Sequence, residues 1–256
     1  MSGTVSLDIS SAVAFVTLSH PGKFNAMSRA MWRELRAVFA SIQQNSALRG
    51  VLIRGEGGHF CAGGDISEYA AFRFDEASLR DFHENDVWGG LQAMLDCDLL
   101  IVARIEGHCM GAGVEIASCC DLRLASDSAR FGAPIAKLGF PMAPREAALV
   151  MRAVGELTAR EMLLSAAVLG AADMQQRGFL NQVVPQQDLL PAVEQRLQAM
   201  AVLAPRAARL NKQTLRAMSR VHETGVVPRD SYRYADTAEH REGIEAFMAK
   251  RPPFFG

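Results

Sequence analysis

The sequence predicts an α/β fold in which short strands and helices alternate through the first half and helices dominate the second. Two observations carry this expectation. The β-branched runs Val51-Leu52-Ile53 and Leu99-Leu100-Ile101-Val102 each end in a glycine-rich turn, and each turn leads into a segment that can be helical. From Pro144 onward the strand pattern gives way to helical segments punctuated by Gly155, Gly170 and Pro205. Repeated β-β-α units followed by a helical region describe one mixed core, and no polar linker or low-complexity tract divides it.

Taken in order, an alternating strand pattern begins almost at once. Residues 13–18 read as a strand, followed by the turn His20-Pro21-Gly22-Lys23. Ser28 is an N-cap for a helix through about Gln44, with Met31, Leu35, Val38, Phe39 and Ile42 as its apolar stripe. After the first glycine turn, residues 76–95 have the pattern of a second amphipathic helix, with Leu79, Phe82, Leu91 and Leu95 on one face. Next come the strand through Ile105, the second glycine turn, and a short helix from Gly111. Residues 122–125 and 129–131 are short strands. Segments 145–154, 158–166, 171–178, 189–203 and 206–218 are helical in pattern, with a brief strand at 181–184. A last helix is expected from about Tyr232 to Lys250, stopped by Pro252-Pro253.

The turns read His59-Phe60-Cys61-Ala62-Gly63-Gly64-Asp65-Ile66 and Gly107-His108-Cys109-Met110-Gly111-Ala112-Gly113-Val114-Glu115. A strand that turns through small residues into a helix leaves the first N–H groups of that helix unpaired. Two such turns side by side aim two donors at one point, as a developing oxyanion requires. Glu115 adds a carboxylate one helical turn beyond the second set of glycines. The pair therefore predicts an active site.

Composition narrows the alternatives. A chain of 256 residues, 49% of them hydrophobic, can bury a substantial core. A net charge of −1 gives no electrostatic reason to expect nucleic acid or an anionic membrane. No apolar run is long enough to span a bilayer. The first residues lack the basic and apolar regions of a signal peptide, so the expectation is a cytoplasmic protein with little preceding the fold. Cys61, Cys97, Cys109, Cys119 and Cys120 are odd in number and form no CxxC, which predicts reduced thiols. Cys119 and Cys120, in an apolar run, read as core. No metal is expected, because His59 and His108 have no partner at ligand spacing. Neither turn is a G-x-G-x-x-G, and there is no G-x-S-x-G.

Several segments together resemble the crotonase (enoyl-CoA hydratase/isomerase) superfamily. Besides the two turns, Pro21-Gly22-Lys23-Phe24-Asn25-Ala26-Met27 resembles its P-x-K-x-N-A-L segment and Cys120-Asp121-Leu122-Arg123 its C-D-[IL]-R stretch. Ala171-Ala172-Asp173, Gly178-Phe179-Leu180-Asn181-Gln182-Val183 and residues 237–251 continue the match in the family's order. The resemblance implies a crotonase-type core of stacked β-β-α turns over residues 1–195. It also implies a C-terminal helical trimerisation region over 196–256, within one functional unit that assembles as a homotrimer or homohexamer. It implies an acyl-CoA thioester as substrate, with no cofactor beyond that coenzyme A. Its oxyanion donors carry over to the backbone of Gly64 and Ala112, and its acid–base group to Glu115. Substrate contacts carry over to Lys23, Ala26, Ala62, Gly63, Asp65, Ile66, Gly111, Ile135, Phe247 and Lys250. Lys23 and Lys250 are candidates for the CoA phosphates, or solvated charges. Phe247 is a pocket residue or core.

The chemistry fits these residue types. Adding water to an α,β-unsaturated thioester builds an enolate-like anion on the thioester oxygen. Losing one preorganised N–H donor there costs ~10²–10³ in rate. A helix start adds the positive end of its dipole, and Glu115 can serve as general base or acid. Two departures from the resemblance matter. Family hydratases carry a second glutamate in a P-E segment, and Pro134-Ile135 puts an isoleucine there. The glycine-rich stretch after P-x-x-x-L-G is replaced by Phe140-Pro141-Met142-Ala143-Pro144-Arg145-Glu146. The expected activity is hydration of a 2-enoyl-CoA through two N–H donors and a single glutamate. Isomerase, dehydratase or thioester hydrolase activity on the same pocket, and a decayed acyl-CoA-binding protein, are the alternatives. Asp65 also reads as a cap of the following helix, Asp121 as structural, and His108 as a pocket or packing residue; Arg145 and Glu146 read first as an exposed helix start, with compensation for the missing glutamate as the alternative.

Overall fold

In the computed structural model, which describes residues 2–201, 205–220 and 233–253, β1 (Thr4–Ser10) and β2 (Val13–Ser19) form an antiparallel hairpin. Helix α1 (Arg29–Gln44) then crosses over to β3 (Gly50–Gly55), which lies parallel to β2. Ser28 starts α1 as its composition suggests, its Oγ accepting from Met31 N at 3.2 Å. Met31, Trp32, Leu35, Phe39 and Ile42 form the buried stripe of that helix.

Residues 76–95 differ from the expected single helix. α2 (Glu76–Asp81) and α3 (Trp88–Asp96) are separated by a π-helical segment, Phe82–Val87. Polar contacts hold this segment from two sides. Asp86 binds Arg29 and Arg33 of α1, with Arg33 Nε at 2.7 Å, and His83 reaches toward a later helix. The apolar spacing carries no mark of these contacts, so the wider turn is invisible to it. Such segments recur at functional sites.

The chain then winds through two sheets. β4 (Leu100–Ile105) joins the large sheet, β5 (His108–Met110) the small one, and α4 (Ala112–Ser118) closes the unit. β6 (Leu122–Ser126) and β7 (Arg130–Gly132) repeat the step, followed by α5 (Pro144–Val154) and α6 (Glu156–Leu164). β8 (Val168–Gly170), α7 (Ala171–Gln176), β9 (Gln182–Val184), α8 (Leu189–Ala201), α9 (Pro205–Arg220) and α10 (Ala238–Met248) complete the described chain. The six-stranded sheet has the order β1-β2-β3-β4-β6-β9, parallel from β2 onward, and the small sheet is β5-β7-β8. These are the stacked β-β-α turns expected.

Alternation along the central strands explains their apolar composition. Val51, Ile53, Ile101 and Ala103 face the main core, while Leu52 and Val102 face Leu189, Val193 and Leu197 of α8. A parallel sheet covered on both faces needs such strands. Residue 195 lies within α8, whose Leu189, Val193 and Leu197 pack on the sheet. α9 is held by ion pairs, including Lys212 Nζ to Asp121 Oδ2 at 2.7 Å. Asp121 also accepts from Ile101 N at 2.7 Å, so its role is structural.

Two short strands, β5 and β8, were not apparent in the sequence. Neither is longer than three residues, too short to show a period. The last helix begins at Ala238, not near Tyr232. Thr237 caps it by accepting from His240 N at 3.3 Å, and Arg233–Asp236 form a separate 3-10 turn. Residue 232, like the end of the segment expected at 189–203, lies outside the described residues. Among the described residues no helix is long and apolar enough to cross a membrane. All five cysteines are buried free thiols.

Candidate active site

The two glycine turns lie against each other. Cys61 and Cys109 form a parallel bridge, with Cys61 N donating to His108 O at 2.9 Å and Met110 N to Cys61 O at 2.8 Å. Gly63 (φ 118°) and Gly111 (φ 47°) adopt conformations that favour glycine, and a methyl on Gly111 would stand 3.6 Å from Gly63 Cα. Met27 brackets the first turn by donating to Gly63 O and accepting from Asp65 N, both at 2.8 Å. Gly64 N, between those bonds, donates to no group among the described residues, and neither does Ala112 N at the start of α4. Asn25 holds the loop from behind, its Nδ2 donating to Glu56 O and His59 O at 2.8 Å each.

Gly64 and Ala112 both line one cavity of about 810 Å³. Every site residue singled out from the sequence borders it, from Lys23 and Ala26 on the early segment to Phe247 and Lys250 at the C-terminal end. Their surroundings differ. Asp65 caps the 3-10 turn Ile66–Ala71 and accepts from Ser67 N, while Lys23 Nζ sits 2.7 Å from its Oδ2. Burial alone would raise the Asp65 carboxyl, but the hydrogen bonds from Lys23 and Ser67 outweigh it and hold it below its ordinary range. Lys250 lies just past α10 at the rim. That helix is seated closely, since a methyl on Gly243 would stand 1.9 Å from Leu138 O. His108 is not part of the lining. It stacks on His59 with ring centroids 4.7 Å apart, a packing role.

Besides Asp65, two carboxyl groups border the cavity. Glu115 sits in the first turn of α4, and Glu146 in the first turn of α5, beginning at Pro144. Read from sequence, Glu146 belonged to an exposed helix start. In the structure it is 3% exposed and borders the cavity, because α5 packs on α4 with this turn facing inward. Arg145 turns away, pairing with Glu84 at 3.2 Å and lying over the Trp88 ring. A second glutamate thus reaches the cavity from another helix, although position 135 is an isoleucine.

A short relay orients Glu146. Its Oε1 lies 2.7 Å from His83 Nδ1, and His83 Nε2 lies 3.2 Å from Arg73 Nη2. Arginine can only donate. His83 Nε2 therefore accepts, its ring proton sits on Nδ1, and that N–H donates to Glu146. Burial, and then the Arg73 charge, push His83 well below its usual range and keep it neutral. Burial also raises both carboxyls above the ordinary glutamate value of 4.5, Glu146 to about 8. For Glu115, repulsion from Glu146 adds to burial; for Glu146, Arg73 and the Ala143 N–H act the other way.

These shifts have a stability consequence. A carboxyl raised in the folded state binds its proton more tightly there than in the unfolded chain. Its favourable contribution is complete below the unfolded value near 4.5 and is lost as pH rises toward about 8. Buried His83 and His240, both lowered, act in the opposite sense, so the readout is the difference: in urea unfolding, Glu146→Gln should gain stability relative to wild type between about pH 5 and about pH 8.

Arg73, His83 and Tyr69 were missed by sequence reasoning as site residues, and it ranks Glu146 as a substitute for the missing glutamate below an exposed helix start. The one available signal was Glu146, a carboxylate just after the altered segment that carries Ile135. The enoyl-CoA hydratase/isomerase family model matches residues 8–256 of this chain. The chain is 30% identical to the 2,3-dehydroadipyl-CoA hydratase of Escherichia coli over 246 residues, covering 95% of this chain and 94% of that one. The solved structure of an enoyl-CoA hydratase/carnithine racemase from Magnetospirillum magneticum aligns with a TM-score of 0.82 at 32% identity, covering 99% of this chain and 95% of that one. A methylmalonyl-CoA decarboxylase in complex with 2-nitronate-propionyl-CoA shares the fold, with a TM-score of 0.88 at 22% identity over 99% and 98% of the two chains. With its two apposed glycine turns and its spiral of β-β-α units, the chain belongs to the enoyl-CoA hydratase/isomerase family of the crotonase superfamily.

Proposed function

We propose that this protein hydrates a 2-enoyl-CoA, using Gly64 and Ala112 as oxyanion donors and Glu115 and Glu146 as the proton-transfer pair. The observation that carries this reading is the arrival of both raised carboxyls in the cavity lined by Gly64 and Ala112, whose N–H groups have no partner among the described residues. It replaces the single-glutamate expectation with a pair whose second member comes from α5.

The roles follow from the surroundings. Glu146 receives the His83 and Ala143 N–H groups and feels the Arg73 charge, all of which favour its ionised form. Glu115 has no side-chain hydrogen bond among the described residues and keeps its proton. Ionised Glu146 takes a proton from water as the water oxygen bonds to C3 of the thioester. Charge moves to the thioester oxygen, where the Gly64 and Ala112 N–H groups and the start of α4 stabilise it. Glu115 then delivers its proton to C2.

Lys23, Lys250 and Phe247 at the cavity border suit the CoA portion. Leu157, Leu164 and Val168 leave an exposed apolar face on α6 and β8, which supports a homotrimer or homohexamer, testable by light scattering. The reaction is tested by mixing the enzyme with 2-enoyl-CoAs of varied chain length. Loss of enoyl absorbance with a product heavier by one water is expected. An isomer of unchanged mass, or no turnover at any length, would contradict hydration.

A further inference from the structure

Arg73 borders the same cavity and is 1% exposed. Its guanidinium carbon lies 4.1 Å from the centroid of the Tyr69 ring and 4.0 Å from that of Phe140. Nη2 contacts His83, but Nε and Nη1 have no hydrogen-bond partner among the described residues. A buried guanidinium stays charged, and leaving its donors unpaired is costly. A counter-charge for Glu146 alone accounts for a cation at this place. It does not account for donors left open, because a purely structural arginine would pair directly with the carboxylate. Glu115 and Glu146 feel its charge, yet among the described residues the only side chain hydrogen-bonded to Arg73 is His83.

We propose that Arg73 receives a second carboxylate on the acyl chain, so that the preferred ligands are CoA monothioesters of dicarboxylic acids. The aromatic rings hold the guanidinium in place and exclude water around it. As the ligand enters and the side chains around them shift, the unpartnered N–H groups supply charge-assisted hydrogen bonds that a methyl-ended chain cannot use. Apart from His83, Glu115 and Glu146, the lining near Arg73 is apolar or aromatic and includes Phe82, Phe140 and Met142, which suit the chain between its two polar ends. This inference rests on reading the cavity as an acyl-CoA site, but it does not depend on the reaction performed there.

The test is calorimetric binding of three saturated pairs: butanoyl- and succinyl-CoA, pentanoyl- and glutaryl-CoA, hexanoyl- and adipyl-CoA. For at least one length, the carboxylate-ended thioester should bind about 10-fold or more tightly than its methyl-ended partner. In Arg73→Met that ratio should fall to about one, and Arg73→Lys should keep part of it. Circular dichroism establishes that each variant is folded, and the wild-type ratio stands without them. Equal or tighter binding of the methyl-ended chain at every length would overturn the proposal. So would equal losses for both partners in Arg73→Met, or a terminal amide binding as well as the carboxylate. These ligands carry no double bond, so absent hydration would remove the proposed reaction and leave this preference to stand or fall alone.

Discussion

Glu115→Gln is expected to lower kcat on a 2-enoyl-CoA by ~10²–10⁴, with KM changed little. Glutamine has the shape of glutamate and fits the buried first turn of α4, but it has no proton to deliver to C2. The variant should also be at least as stable as the wild type near neutral pH. Burial and the neighbouring Glu146 both disfavour ionised Glu115, and a neutral amide removes that penalty. Steady-state kinetics with urea unfolding separates this result from simple misfolding. Activity within tenfold of wild type would remove Glu115 from proton transfer.

Gly64→Ala should cost ~10²–10³ in kcat by displacing one oxyanion donor. Its added methyl would stand 1.9 Å from Tyr69 Oη, so the turn or the tyrosine must move. Adding Tyr69→Phe removes that oxygen and should recover part of the loss, since the next ring atom still lies at 3.0 Å. The second turn provides the contrast. Position 112 already carries a methyl, its donor is backbone, and Ala112→Gly should change the rate far less than Gly64→Ala. Similar losses at both positions, or none at position 64, would contradict the assignment of these donors.

Features governed by local chemistry were legible in the sequence. The Ser28 cap, the apolar stripe of α1, the continuous apolar strands of the large sheet and the two glycine turns follow from patterns within a few residues. The features that were not legible depend on tertiary contacts. Glu146 in a first helical turn looks the same whether it faces water or a cavity, and only the packing of α5 on α4 decides. Arg73 and His83 are polar side chains whose burial depends on one another and on Glu146. The π segment that carries His83 preserves the apolar face of an ordinary helix. β5 and β8 are too short for alternation to appear.

The central claim is that Glu115 and Glu146 act as one pair, and the pH profile of kcat/KM tests it most directly. Wild type should give a bell whose limbs belong to the pair and lie above the ordinary glutamate range. Glu146→Gln removes the base, and with it the acid limb. It also removes a neighbouring charge that raises Glu115, so the alkaline limb should move to lower pH while the rate falls. An unchanged rate with both limbs in their wild-type positions would contradict the paired-carboxyl account.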